Sequence, residues 1–272
     1  MKKRFWTVMA AAGILACFTM AVTVGADQLE DIVKEGKIKV GVEGTYPPFT
    51  YHDESGELVG FDVEVAKALA QKLGVEASFT ESDWDSLLAA IDSKRLDTVI
   101  NDVSVTEERK KKYDFSDPYF FIARQMVCSS DNDTIHSMED LNGKKIATNM
   151  TNSYAQQLED LGATIVPIST SDEAATLVLS GRADVCMFNT VILADYLKQH
   201  PDAALKVAFV VPEKDEEIAI PLRKGEEPLL EAVNKALNEL REDGTLRELS
   251  EKYFDGDYTT PSSEEETAQT EE

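Results

Sequence analysis

Arg109 stands in the segment Thr106-Glu107-Glu108-Arg109, near a helix start where its positive charge runs against the helix dipole. Thr106 is a ready N-cap, and Glu107 and Glu108 fill the first turn, where negative charge is favoured. A guanidinium there wants an anion, and its planar fork suits a carboxylate taken bidentately. A solvated side chain paired with Glu107 or Asp114 would satisfy the same spacing. Glu43, Asp102 and Asn189 each follow a stretch that reads as a strand. Brought together, their oxygens would accept hydrogen bonds from an ammonium group. Arg109, Ser104 and the backbone N–H groups around Thr151-Asn152-Ser153, at a predicted helix start, would hold a carboxylate. Tyr46 and Trp84 offer rings to clamp the apolar stem between those two ends. The chemistry implied is recognition of a small zwitterion. Plainer roles compete at several positions: Glu43 as a solvated loop acid, Asn189 as a helix cap, Tyr46 and Trp84 as core.

Positioning these groups falls to alternating strands and helices. A short amphipathic helix with Leu29, Ile32 and Val33 facing inward precedes the strand Ile38 to Val42. Residues 62–73 carry apolar side chains at helical spacing, with Gly74 as the stop. A strand over 76–79, a helix from Trp84 to about Lys94 and the strand Asp97 to Ile100 complete one α/β unit. A second unit runs from about Arg124 to Pro212. It holds a Ser137–Asp140 capping box, helices over 153–161, 172–179 and 191–199, and strands over 145–147, 164–168, 183–188 and 205–211. An extended piece (218–222) and helices over 226–242 and 246–254 follow. Such alternation predicts an α/β fold with mainly parallel sheets covered on both faces. A cleft at the carboxyl ends of those strands is where a small ligand settles.

Several pieces gain meaning as a set. They are Gly44-Thr45-Tyr46-Pro47-Pro48-Phe49, Gly60-Phe61-Asp62, Trp84 with Leu87-Leu88, Ser104-Val105-Thr106, Glu108-Arg109, Asp114-Phe115-Ser116 and Pro118-Tyr119. In order and spacing, from about Lys37 to Tyr253, the chain resembles bacterial extracellular solute-binding proteins of the polar amino-acid class, the receptors of ABC importers. The resemblance implies a two-lobed, periplasmic-binding-protein-like (type II) fold that closes like a flytrap on a ligand between its lobes. It also makes the first lobe discontinuous: residues 27–123 plus 213–258 form lobe 1, and residues 124–212 form lobe 2. It carries ligand roles onto Glu43, Tyr46, Trp84, Asp102, Ser104, Arg109, Asn152 and Asn189, and a weaker one onto Thr148. Within the family the chain is most similar to cystine receptors, on Glu43 to Phe49, Trp84-Asp85, Val99-Ile100-Asn101 and Lys111 to Ser116. Two positions depart: Asp102, where that subgroup usually has an uncharged residue, and Met150, where glycine is common. The partners implied are an amino acid, with cystine ahead of other polar and then cationic ones, and the permease subunits of the importer, with the protein itself a monomer.

Composition narrows the alternatives. The chain has 272 residues, is 43% hydrophobic and carries a formal charge of -24. So acidic a protein is repelled by nucleic acid and anionic lipid. The amino terminus is basic, with no acidic residue before Asp27. Lys2-Lys3-Arg4, the apolar run Phe5 to Val24 and the small residues Val24-Gly25-Ala26 read as an export signal over residues 1–26. A membrane anchor and lipidation at Cys17, after Ile14-Leu15-Ala16, are the alternatives. The protein is thereby expected to be exported, to a periplasm or cell surface. Cys128 and Cys186 sit in apolar strand-like runs, as buried thiols or as a disulfide that export would permit. The Ser/Thr/Glu-rich stretch over residues 259–272 is an expected disordered tail. No nucleophile–base constellation accompanies His52, His136 and His200, so no catalytic residue, cofactor or metal is assigned. The competing function classes are a dehydratase of the cyclohexadienyl type on the same scaffold, with Glu43 or Asp102 as general acid, and a sensory ligand-binding domain.

Overall fold

A computed structural model describes residues 28–212 and 216–261. The export signal, Cys17 and the last eleven residues of the expected tail lie outside the described residues. Two separate sheets realise the strand–helix alternation. In the first, Glu76–Glu81, Lys37–Val42 and Thr98–Val99 lie side by side, all parallel. Val40 and Val42 are fully buried, as a strand covered by helices requires. Gln28–Glu35, Phe61–Leu73 and Trp84–Asp92 supply that cover. In the second sheet the order is Thr164–Pro167, Lys145–Thr148, Val185–Asn189, Arg124–Ser129 and Leu205–Val210. Arg124–Ser129 alone runs antiparallel to both its neighbours. It enters directly from the first lobe rather than through a crossover helix, so it is free to run backwards.

The molecule is two-lobed, and the first lobe is discontinuous. The chain leaves it through Phe120–Ile122 and returns through Glu216–Ile218, and these two strands pair antiparallel as a double crossing. The returning chain lays helix Glu227–Glu242 against Phe61–Leu73, burying Leu229, Val233, Ala236, Leu237 and Leu240. Phe254, at the end of helix Thr245–Phe254, then closes an aromatic cluster with Phe49, Phe61 and Phe120, ring centroids 4.9–5.2 Å away. Thr259, where the tail was expected to begin, is still buried.

Two expectations change, and one alternative is decided. Val33 is 55% exposed while Ile32 is buried. Consecutive helix residues stand about 100° apart, so a short helix resting on Ile32 turns Val33 outward. The helix expected over 153–161 is shorter, Ala155–Asp160. It is preceded by a turn in which Asn152 Oδ1 accepts from the Tyr154 N–H at 2.9 Å. The cysteines are free thiols on neighbouring strands. Cys128 pairs with Val185 and Cys186 with Val127. That one-residue offset sends the two side chains to opposite faces of the sheet, into different core clusters, and no disulfide can span it.

Candidate functional site

At the carboxyl ends of the two sheets a cleft opens between the lobes. It is lined by Glu43, Tyr46, Trp84, Asp102, Ser104 and Arg109 from the first lobe and by Thr148, Asn152 and Asn189 from the second. All nine residues expected from the sequence thus line one space. Glu43 leaves the strand Lys37–Val42, Asp102 follows Thr98–Val99, Thr148 ends Lys145–Thr148 and Asn189 ends Val185–Asn189.

Arg109 is placed by its own local structure. Thr106 Oγ1 accepts from the Arg109 N–H at 3.1 Å, the cap expected from the sequence. The guanidinium donates to the carbonyls of Ser104 at 2.9 Å and Thr151 at 3.2 Å, and lies 5.4 Å from the centre of the Trp84 ring. Among the described residues it forms no ion pair, so its charge stands uncompensated in the cleft wall. Burial lowers its pKa and the Arg124 charge adds to that, while the Glu216 and Asp102 charges act the other way. Trp84 therefore carries the cation on its ring as well as facing the cleft.

Asp102 is the most constrained of the nine. Its φ is 49°, a left-handed backbone that few non-glycine residues take and that marks a position held by its surroundings. The holder is Asp62. One oxygen of Asp62 accepts from the Asp102 N–H at 2.7 Å and the other from the Tyr119 hydroxyl at 2.8 Å. Asp62 is wholly buried, and that burial pushes its carboxyl from 3.8 up to about 8. Asp102 Oδ2 is saturated. It accepts from the Tyr46 hydroxyl at 2.9 Å, Asn189 Nδ2 at 3.1 Å and Arg124 Nη1 at 3.2 Å. Its Oδ1 is buried and, among the described residues, has no hydrogen-bond partner.

Glu43 is pinned by Asn101. The Asn101 side chain accepts from the Glu43 N–H and donates to Glu43 Oε2, both at 2.8 Å. Burial raises the Glu43 carboxyl to about 7, against the Asn101 hydrogen bond, so it titrates near neutrality. Asn189 does both things its position suggested. Its Oδ1 caps helix Thr190–Gln199 through the Ile192 N–H at 2.8 Å while its amide faces Asp102.

Some expected partners are already engaged. The Ser104 hydroxyl donates to Glu216 Oε2 at 2.8 Å, and the Ser153 hydroxyl to Glu216 Oε1 at 3.3 Å. The Tyr46 ring stacks on Phe49 at 5.4 Å rather than standing free, although its edge reaches the cleft. Met150 is 52% exposed and leaves the cleft wall to its neighbours. Sequence reasoning missed Asp62 as a support, and missed Asn101, Arg124 and Glu216 altogether. Arg124 carried a signal: a single cation inside the run Phe120 to Cys128 must be paired if that run is buried. It is, with Glu216 Oε2 at 2.6 Å from its Nε and Ser104 Oγ at 3.2 Å from its Nη2.

The lobes touch across the cleft. Arg109 meets Thr151, Asn189 meets Asp102, Ser153 meets Glu216, and Thr151 Oγ1 donates to Asp85 at 2.5 Å. This arrangement can hold a charged pair, acid at one end and guanidinium at the other, out of bulk water.

Comparison with known proteins agrees with that geometry. The pattern that defines the bacterial extracellular solute-binding proteins, family 3, matches residues 38–256. The L-cystine-binding protein TcyJ of Escherichia coli (strain K12) is 40% identical over 246 residues, which cover 88% of this chain and 91% of that protein. The amino acid ABC transporter substrate-binding protein AbpA of Streptococcus pneumoniae, solved bound to L-arginine, is 30% identical with a TM-score of 0.76. The match covers 83% of this chain and 98% of that one. The L-cystine solute receptor of Neisseria gonorrhoeae, solved unliganded and open, is 35% identical with a TM-score of 0.58, covering 85% and 98%. The lower score against an open molecule fits lobes that are in contact here.

Proposed function

The chain belongs to the bacterial extracellular solute-binding proteins, family 3, and from that premise we propose that it captures a polar amino acid between its lobes and presents it to the permease of an ABC importer. The observation that carries the reading is the pairing of two groups in one cleft. Asp102 Oδ1 is a buried acceptor with no partner among the described residues, and Arg109 is a guanidinium with no counter-ion among them. A buried acceptor left bare costs free energy, about 1–3 kcal/mol, which an incoming ammonium would recover. The ligand carboxylate would take the free donors of Arg109. Glu43, Tyr46, Trp84, Ser104, Thr148, Asn152 and Asn189 would shape the remainder of the site. A ligand that touches both lobes stabilises the closed form and shifts the population toward it.

Cystine is the ligand we favour. TcyJ is named as a cystine-binding protein, and two ammonium groups would answer both Asp102 and Glu43. Arginine is the second reading, favoured by two carboxyls lining the cleft, those of Glu43 and Asp102, with a third, Glu216, behind Ser104 and Arg124. The protein acts as a carrier rather than a catalyst, as an exported monomer. Mass spectrometry of ligand released from the denatured, purified protein, with a thermal-shift screen of the amino acids, tests the proposal. Cystine in the released fraction is the expected result. No amino acid released, and none raising the melting temperature, would overturn it.

A further inference from the structure

We propose that Arg124 and Glu216, which the two strands of the interlobe crossing bring together, set the charge selectivity of the cleft, so that neutralising one or the other moves its preference between zwitterionic and cationic amino acids in opposite directions. The inference deepens the amino-acid-binding reading above and rests on it. Arg124 opens strand Arg124–Ser129, and Glu216 opens Glu216–Ile218 on the returning crossing. Both are shielded from solvent, with side chains 9% and 11% exposed. Arg124 Nε meets Glu216 Oε2 at 2.6 Å, and its Nη1 meets Asp102 Oδ2 at 3.2 Å. One guanidinium thus serves two carboxylates. Charges so far from water interact strongly with one another and with anything that enters the cleft.

The two ends of an amino acid account for Arg109 and for Asp102 Oδ1. The side chain of the ligand is then judged against what remains. Glu43 forms no ion pair among the described residues and is bonded to the Asn101 amide. Beside it lies the balance struck by Arg124 between Asp102 and Glu216. With Arg124 in place, two of the three carboxyls are spoken for, and a neutral zwitterion suits the site. Remove the Arg124 charge, and Asp102 and Glu216 lack a cation that a lysine or arginine side chain could supply. Remove the Glu216 charge, and Arg124 holds a surplus that repels a cationic ligand. A merely structural role would not produce these opposite signs.

The test is competition calorimetry with L-arginine and L-cystine on the wild type, Arg124→Gln, Glu216→Gln and the double variant. In Arg124→Gln the arginine-to-cystine affinity ratio should rise about tenfold, and in Glu216→Gln it should fall about tenfold, as expected for one unit charge across a partly desolvated cleft. The double variant, which keeps the net charge, should return the ratio to within about threefold of the wild type. If Arg124→Gln does not unfold cooperatively, Glu216→Gln and the double variant still decide the matter. Ratios that stay put, or that move in the same direction in both single variants, would overturn the inference alone. A wild type that binds neither ligand nor any other amino acid would overturn the functional reading and this inference with it.

Discussion

Replacing Asp62 by Asn separates the account of Asp102 from simpler ones. Asp62 accepts two hydrogen bonds, from the Asp102 N–H and the Tyr119 hydroxyl. While protonated, the Asp62 carboxyl resembles an Asn, with one accepting oxygen and one donor side that the Tyr119 hydroxyl can turn to meet, so the exchange alone costs little. Charge is what separates the two. The Asp62 carboxyl is raised from 3.8 to about 8 by burial, so the folded state holds this proton more tightly than the unfolded chain does. Its contribution is fully present below the unfolded pKa and is lost as pH rises through the folded one. At roughly 1.4 kcal/mol per pH unit, Asp62 should cost the wild type on the order of 3–4 kcal/mol between about pH 5 and about pH 8. Asp62→Asn cannot titrate there. Urea unfolding across that range should find the mutant close to the wild type at the acid end and the more stable of the two at the alkaline end. Parallel curves would refute the assignment of a protonated, buried Asp62.

Other expectations follow from single contacts. At Gly60, φ is 127° and an added Cβ would sit 2.1 Å from the Phe49 carbonyl oxygen, backbone that accepts from the Asp62 N–H. Gly60→Ala should therefore lose about 2–4 kcal/mol by denaturant unfolding. Cys128 and Cys186 are fully buried, and burial pushes both thiols up. They should resist a thiol reagent in the native state and react together only on unfolding. Small-angle scattering should give a smaller radius of gyration with ligand than without; equal radii would argue against a ligand-driven shift toward the closed form.

Much of the site was legible because its parts are local or follow a strand. The Thr106 cap on Arg109, the Asn189 cap and the residues after three strand ends are set by short-range rules, and the family motif put them in one cleft. What stayed hidden is non-local. Asp62 meets Tyr119 from 57 positions away and Arg124 meets Glu216 from 92, pairings that only the tertiary fold creates. The cysteine question turned on strand register, which a one-residue slip would reverse. The antiparallel strand was hidden for the same reason, since alternation of elements says nothing about how the chain enters the second lobe.

The most direct measurement of the central claim is calorimetric titration of the wild type and Arg109→Ala with L-cystine and with L-arginine. The account predicts one-to-one amino-acid binding to the wild type, cystine the tighter, and loss of about a hundredfold or more in a mutant that still unfolds cooperatively, as removal of a charge-assisted pair in a closed cleft implies. Wild-type affinity in Arg109→Ala, or tight arginine binding with no heat from cystine, would contradict it.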